Sequence, residues 1–160
     1  MFAELNSILN TSPDSFKQGE FILVSDRQTD ASFLIHHFLS LYLRAGCKVC
    51  FLGLVQSFSH YSAISQRLGS MVMLVRCEAE EEESDDDGSE RLLRGLTHQC
   101  SLTLQVQGLP TGYCRDIHGQ VEVCWRGQCD RQQTQKKLFQ YKVHDKGASF
   151  FARGTSSAVL

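Results

Sequence analysis

Apolar residues along this chain fall into short runs, and the spacing within those runs changes character after Cys100. Before that point, continuous apolar runs alternate with helical spacing. A short amphipathic segment opens the chain, and Asn10–Gln18, with Thr11, Ser12, Pro13 and Asp14, reads as a turn. Phe21–Val24 reads as a strand, and Ser32–Ala45 as a helix apolar on nearly every face, ended by Gly46. Cys47–Val55 is a second apolar run, the mark of a strand buried on both faces of a parallel sheet. Ser57 would cap a following helix with Phe58, Tyr61, Ile64, Ser65 and Leu68 along one side, ended by Gly69. Met71–Val75 reads as a third buried strand, and Ser89–Gln99 as a short helix with Leu92, Leu93 and Leu96 inward.

After Cys100 the period drops to two. Leu102, Leu104 and Val106 alternate with polar neighbours, as do Val121, Val123 and Trp125. His118–Gly119 predicts a tight hairpin between Tyr113–Ile117 and Gln120–Trp125. A second hairpin is expected at His144–Gly147, between Leu138–Val143 and Ala148–Ala152, with Gly127–Lys137 a polar connector. The pattern predicts one α/β domain over residues 1–160, a parallel sheet flanked by helices with a C-terminal antiparallel meander. Its parts are a βαβα–β half (1–76), an acidic loop (77–90), and a helix with antiparallel strands (91–160).

The segment Phe21–Ser32 has the layout of a phosphate-binding loop: strand, polar turn, helix. A nucleotide-hydrolysing loop reads GxxxxGKS/T, so that bare backbone N–H groups wrap the phosphates and a Lys reaches the outer ones. In that register Ser25 and Asp30 stand where the glycines belong and Ala31 where the Lys belongs; only Ser32 matches. Asp30 would also aim a carboxylate at an anion, and it is better suited to capping the helix. The layout points to nucleotide-hydrolase ancestry, and the residues point to loss of the hydrolase.

Charge sharpens this reading. The net charge of −2 conceals an asymmetry, because Glu78–Glu90 holds nine of the eighteen acidic residues and no Lys or Arg. Without it the body is mildly basic. The acidic run reads as a solvated loop, lacking the alternating ligands and turn glycine of a calcium loop. Seven cysteines without a framework, and no signal peptide in MFAELNSILN, suggest reduced thiols in the cytosol or nucleus. The longest apolar stretch, Phe33–Leu43, is interrupted by His36, His37 and Ser40 and is too short to span a membrane.

Other chemistry is sparse. CKVC (Cys47–Cys50) would lie in a strand, where residues three apart face opposite ways and cannot share a metal. His36 and His37 point about 100° apart on a helix and read as packing residues. No metal ligand set, catalytic site or cofactor site emerges. Arg27, Arg76, Arg91 and Arg94 fall at loops or helix starts, where they could touch a phosphate backbone read by charge alone.

Together the degenerate loop SDRQTDASFLIHHFLSLYL, the segment CKVCFLGLVQSFSHYS, the hairpin GLPTGYCRDIHGQVEVCW and the tail FQYKVHDKGASFFARGTSSAVL resemble the family of sixth Elongator subunits. That family is RecA-like and lacks nucleotide-binding motifs. The resemblance covers nearly the whole chain, with one departure: Gly69–Ser70 runs almost directly into MVMLV, where family members carry a long central block with a Walker B-type strand. The resemblance implies a RecA-like sheet shortened in the middle, with the four arginines toward one rim. It implies a non-catalytic subunit without cofactors, joined to the fourth and fifth Elongator subunits in a hetero-hexameric ring. That ring docks on the catalytic Elongator subcomplex and binds tRNA, supporting the 5-carboxymethyl-type modification of wobble uridine 34. Two alternatives stand beside it: a hydrolase with a non-standard loop, and an adaptor whose acidic loop recruits a basic partner.

Overall fold

The strand Phe21–Arg27 (β1) forms the hub of the molecule because it is covered on both faces. Ile22 and Val24 point to one side and Leu23 to the other, and all three are buried. The computed structural model describes residues 2–15, 19–49, 70–77, 93–112, 114–126, 135–145 and 147–152. Around β1 lies a mixed six-stranded sheet ordered β2-β1-β3-β4-β5-β6, built from Met71–Cys77 (β2), Leu102–Gln107 (β3), Gly119–Trp125 (β4), Gln135–His144 (β5) and Gly147–Ala152 (β6). β1 pairs in parallel with β2 and β3; every later pairing is antiparallel. The parallel part and the meander are therefore one continuous sheet.

Two helices, Ala3–Leu9 (α1) and Ser32–Arg44 (α2), cover one face. Their Leu5, Leu9, Phe33, Leu34, Phe38 and Leu41 meet Ile22, Val24, Leu102, Leu104, Val106, Val121, Val123 and Tyr141 in the main core. A smaller cluster on the opposite face joins Leu23, Met73, Leu96 and Cys100 beneath a helical turn at 93–97. The period-two reading of Leu102–Val106 holds, with alternating buried and half-buried side chains along β3. The hairpin at His144–Gly147 also holds, but β5 starts at Gln135 and so takes Gln135–Lys137 from the expected connector, because they pair with Trp125–Val123 of β4.

Four expectations change. Cys47–Val49 is not strand, so the expected strand Cys47–Val55 fails over its first three residues; residues 50–69, with Cys50 and the helix expected after Ser57, lie outside the described residues. The flanks of β1 are taken by β2 and β3. β2 is half-buried rather than buried on both faces, with Met73 its one buried hydrophobic among the described residues, because it borders the described sheet. The hairpin expected at His118–Gly119 does not form: β4 begins at Gly119 and pairs with β3 across the connection 108–118. Of the helix expected over Ser89–Gln99, residues 93–97 are helical; its start and the acidic run lie outside the described residues.

Gly119 has a tertiary reason instead of a turn reason. It sits opposite Tyr141, whose ring crosses it. A Cβ at Gly119 would meet Gln107 O at 2.6 Å, Tyr141 Cε1 at 2.8 Å and Tyr141 Oη at 2.9 Å. Two of these contacts are with the edge of a packed ring and one is with backbone, so none can move away cheaply.

His37, fully buried, joins the two helices. Its Nδ1 accepts the Phe2 N–H at 2.9 Å, its ring stacks on Phe2, and its buried Nε2 has no hydrogen-bond partner. The imidazole is a packing residue, as its sequence position suggested. Desolvation pushes its pKa from 6.5 down to about 4.

Two predictions follow from these contacts. Gly119→Ala should destabilise the chain by about 2 kcal/mol through overpacking, read as a lower urea midpoint with unchanged slope. His37 stays neutral when folded but protonates near pH 6.5 when unfolded. Its contribution is therefore intact above pH 6.5 and declines as pH falls toward 4, by up to about 3 kcal/mol. Urea melts at pH 7.5, 5.5 and 4.5 should show this loss, and His37→Leu should flatten it over that window.

Candidate functional site

Ser25, Asp26 and Arg27 continue β1 past Val24, each paired to β2 and β3. Ser25 is buried within the sheet, so the residue at the first glycine position of a phosphate loop is a strand residue here. The turn that remains is Gln28–Ala31, four residues, with Gln28 in the left-handed region at φ 55°. A phosphate loop needs a longer stretch of free backbone to wrap its ligand.

Three backbone donors at the start of α2, those of Ala31, Ser32 and Leu34, are already engaged. The Ala31 N–H donates to Asp26 Oδ2 at 3.2 Å, and the Ser32 N–H to Asp30 Oδ1 at 2.9 Å. Ser32 Oγ donates to the same Asp30 oxygen at 2.5 Å, and the Leu34 N–H turns back to Ala31 O. Two carboxylates of the chain itself thus occupy the positive end of the helix where an anion would sit. Asp30 does serve the helix start, from one residue before the Ala31 boundary. The Ser32 hydrogen bonds, then Arg76, hold the Asp30 carboxyl below the usual range.

Arg76 closes the arrangement from β2. It lies opposite Asp26 in the parallel register, and its guanidinium reaches Asp26 Oδ2 and Asp30 Oδ1, each at 3.6 Å. Asp26 is 1% exposed and its Oδ1 has no hydrogen-bond partner, so Arg76 answers a buried charge. From the other side, Tyr141 Oη pairs with Thr29 Oγ1 at 2.9 Å and its ring stacks on Phe33 at 5.0 Å. Burial, opposed by the Thr29 hydrogen bond, raises the Tyr141 pKa, with Asp30 and Asp26 adding to the rise. The loop is pinned by β2 on one flank and by the C-terminal hairpin on the other.

The expected arginines do not form one cluster. Arg27 and Arg76 share the C-terminal rim of the parallel strands, both exposed. Arg94, also exposed, sits on the helical turn that leads into β3 at the opposite rim, where the Ser101 N–H donates to Phe21 O. At that rim the Arg126 guanidinium is tied to the carbonyls of Thr97 and His98. Arg91 lies outside the described residues. Lys136 and Lys142 pair with Glu122 and Asp116 at 3.0 and 2.9 Å. No group of three or more His, Cys, Asp or Glu able to hold a metal occurs among the described residues.

Asp26, Thr29 and Tyr141 are the loop residues that sequence reasoning missed. Asp26 was hidden by ending the strand at Val24, and Tyr141 lies 112 residues from the threonine it holds. Asp26 could have been found from its register: in a parallel pair, a carboxylate at a strand's end asks for a cation on the neighbouring strand.

Comparison with known proteins identifies the family. The family model described as Elongation complex protein 6 matches residues 2–71 and 69–145. Elongator complex protein 6 of Danio rerio is 44% identical over 264 positions that cover all of both chains. The proteins of that name from Mus musculus and Homo sapiens are each 31% identical over 266 positions, again with full coverage. These alignments run far longer than the 160 residues of this chain, so each contains a long stretch with no counterpart here. The two matched segments of the family model overlap at 69–71, where the sequence reading expects a central block to be missing. With a family match spanning most of its length and full-length relatives above 30% identity, the chain belongs to the Elongation complex protein 6 family.

Proposed function

We propose that this chain is a non-catalytic, RecA-like subunit of Elongator, working in the cytosol or nucleus. It joins the fourth and fifth subunits in a hetero-hexameric ring that docks on the catalytic subcomplex. The ring binds tRNA and supports 5-carboxymethyl-type modification of wobble uridine 34. In this reading residues 1–160 form one domain, with the acidic run after Cys77, to residue 90, as an insert. The observation that carries the non-catalytic part is the occupied helix start: Asp26 and Asp30 hold the Ala31 and Ser32 N–H groups, and Arg76 bridges the two carboxylates. A nucleotide phosphate would have to displace two like-charged groups and find no Lys to meet it.

The RNA part rests on charge. Several phosphate contacts, each weak and salt-sensitive, add up when a ring presents them together. Arg27, Arg91 and Arg94 are the residues offered for this contact. Arg76 serves the loop first, because leaving it would strand Asp26.

For a ring containing this chain, about four phosphate contacts should weaken tRNA binding roughly a hundredfold between 50 and 200 mM salt. Arg27→Glu with Arg94→Glu should make that dependence shallower, and a flat titration of the unmodified ring would overturn the electrostatic reading. The chain alone should show no heat on titration with magnesium ATP and no phosphate release. Turnover by the unmodified chain would restore the hydrolase alternative.

A further inference from the structure

β6, the outermost strand of the described sheet, is an uncharged segment, GASFFA, paired only with β5 among the described residues. A short, uncharged, proline-free strand rich in aromatics and left at an edge is prone to pair with a copy of itself. On this edge the outward Phe150 N–H is not open. It donates to Glu4 Oε2 on α1 at 2.6 Å.

The helix that carries Glu4 is short but firmly seated. Leu5 and Leu9 are buried, and Asn10 closes the helix in a left-handed conformation. At its start the Phe2 N–H bonds His37, and the Phe2 ring packs on Phe33 and His37. Phe33 in turn contacts Phe150 on β6. The anchor on α2 thus fixes where the Glu4 carboxylate falls along β6. A carboxylate there satisfies the strand's donor and brings negative charge to the edge, where a second strand would have to dock.

We propose that α1 is an edge guard: Glu4, positioned by the Phe2–His37 anchor, occupies the hydrogen-bonding edge of β6 and keeps two copies of this chain from pairing through that strand. Antiparallel β6–β6 pairing would put the same uncharged segment opposite itself, and a lost guard should therefore appear as self-association.

The test uses the full chain. Glu4→Ala should speed hydrogen exchange of the Phe150 amide roughly tenfold and give concentration-dependent dimers by light scattering, at concentrations where the unmodified chain shows less association. Phe2→Ala, which loosens the same helix from its other end, should act in the same direction, so a failure of one variant to fold leaves the other to read. Adding Phe151→Lys on β6 to Glu4→Ala should abolish the dimers by setting like charges together across a β6–β6 pair. Folded Glu4→Ala and Phe2→Ala variants with unchanged mass and unchanged Phe150 exchange would overturn the proposal. So would dimers that persist with Phe151→Lys.

Discussion

A carboxylate shut away from water must be answered by hydrogen bonds and opposite charge, and at Asp26 that requirement joins three elements. Its side chain sits at the end of β1, accepts the N–H where α2 begins, and faces Arg76 on β2. Without the Arg76 partner the buried charge would face only one backbone donor, a costly state in a low-dielectric interior. The β1–β2 register is therefore fixed electrostatically at its C-terminal end as well as by packing. The helix start takes its shape from the same group. A segment whose layout resembles an anion site has become an internal salt link, with Asp30 as its solvent-facing member.

The second support of the loop comes from the far end of the chain. Tyr141 can reach Thr29 only because the residue beneath its ring is Gly119. A glycine normally weakens a strand, yet here the ring that covers it restores packing and carries a hydroxyl to the loop. The antiparallel meander thus supports the parallel half through one aromatic side chain. Phe33, stacked on that ring, passes the contact into α2 and on toward Phe2.

Legibility in the sequence followed the range of the forces involved. The alternation in Leu102–Val106, the hairpin at His144–Gly147 and the strand at Phe21–Val24 are local patterns, and the structure repeats them. His118–Gly119 misled because a His-Gly pair signals a turn locally, whereas this glycine answers Tyr141 from a neighbouring strand. The strand end misled in the same way: Ser25, Asp26 and Arg27 look like turn residues, but two neighbouring strands pair with all three. The emptied phosphate loop could be read from composition. What fills it could not, since Arg76 and Tyr141 come from distant segments.

The seam at 69–71 has a consequence for how the sheet assembles. Phe21 and Met71 pair across a loop of about fifty residues, and an insertion of about a hundred residues at the seam would make that loop about three times as long. Closing entropy grows only with the logarithm of loop length, so the difference is about 1 kcal/mol. Chain connectivity therefore constrains the β1–β2 pairing little: Asp26–Arg76 and the apolar ladder beside it set the register.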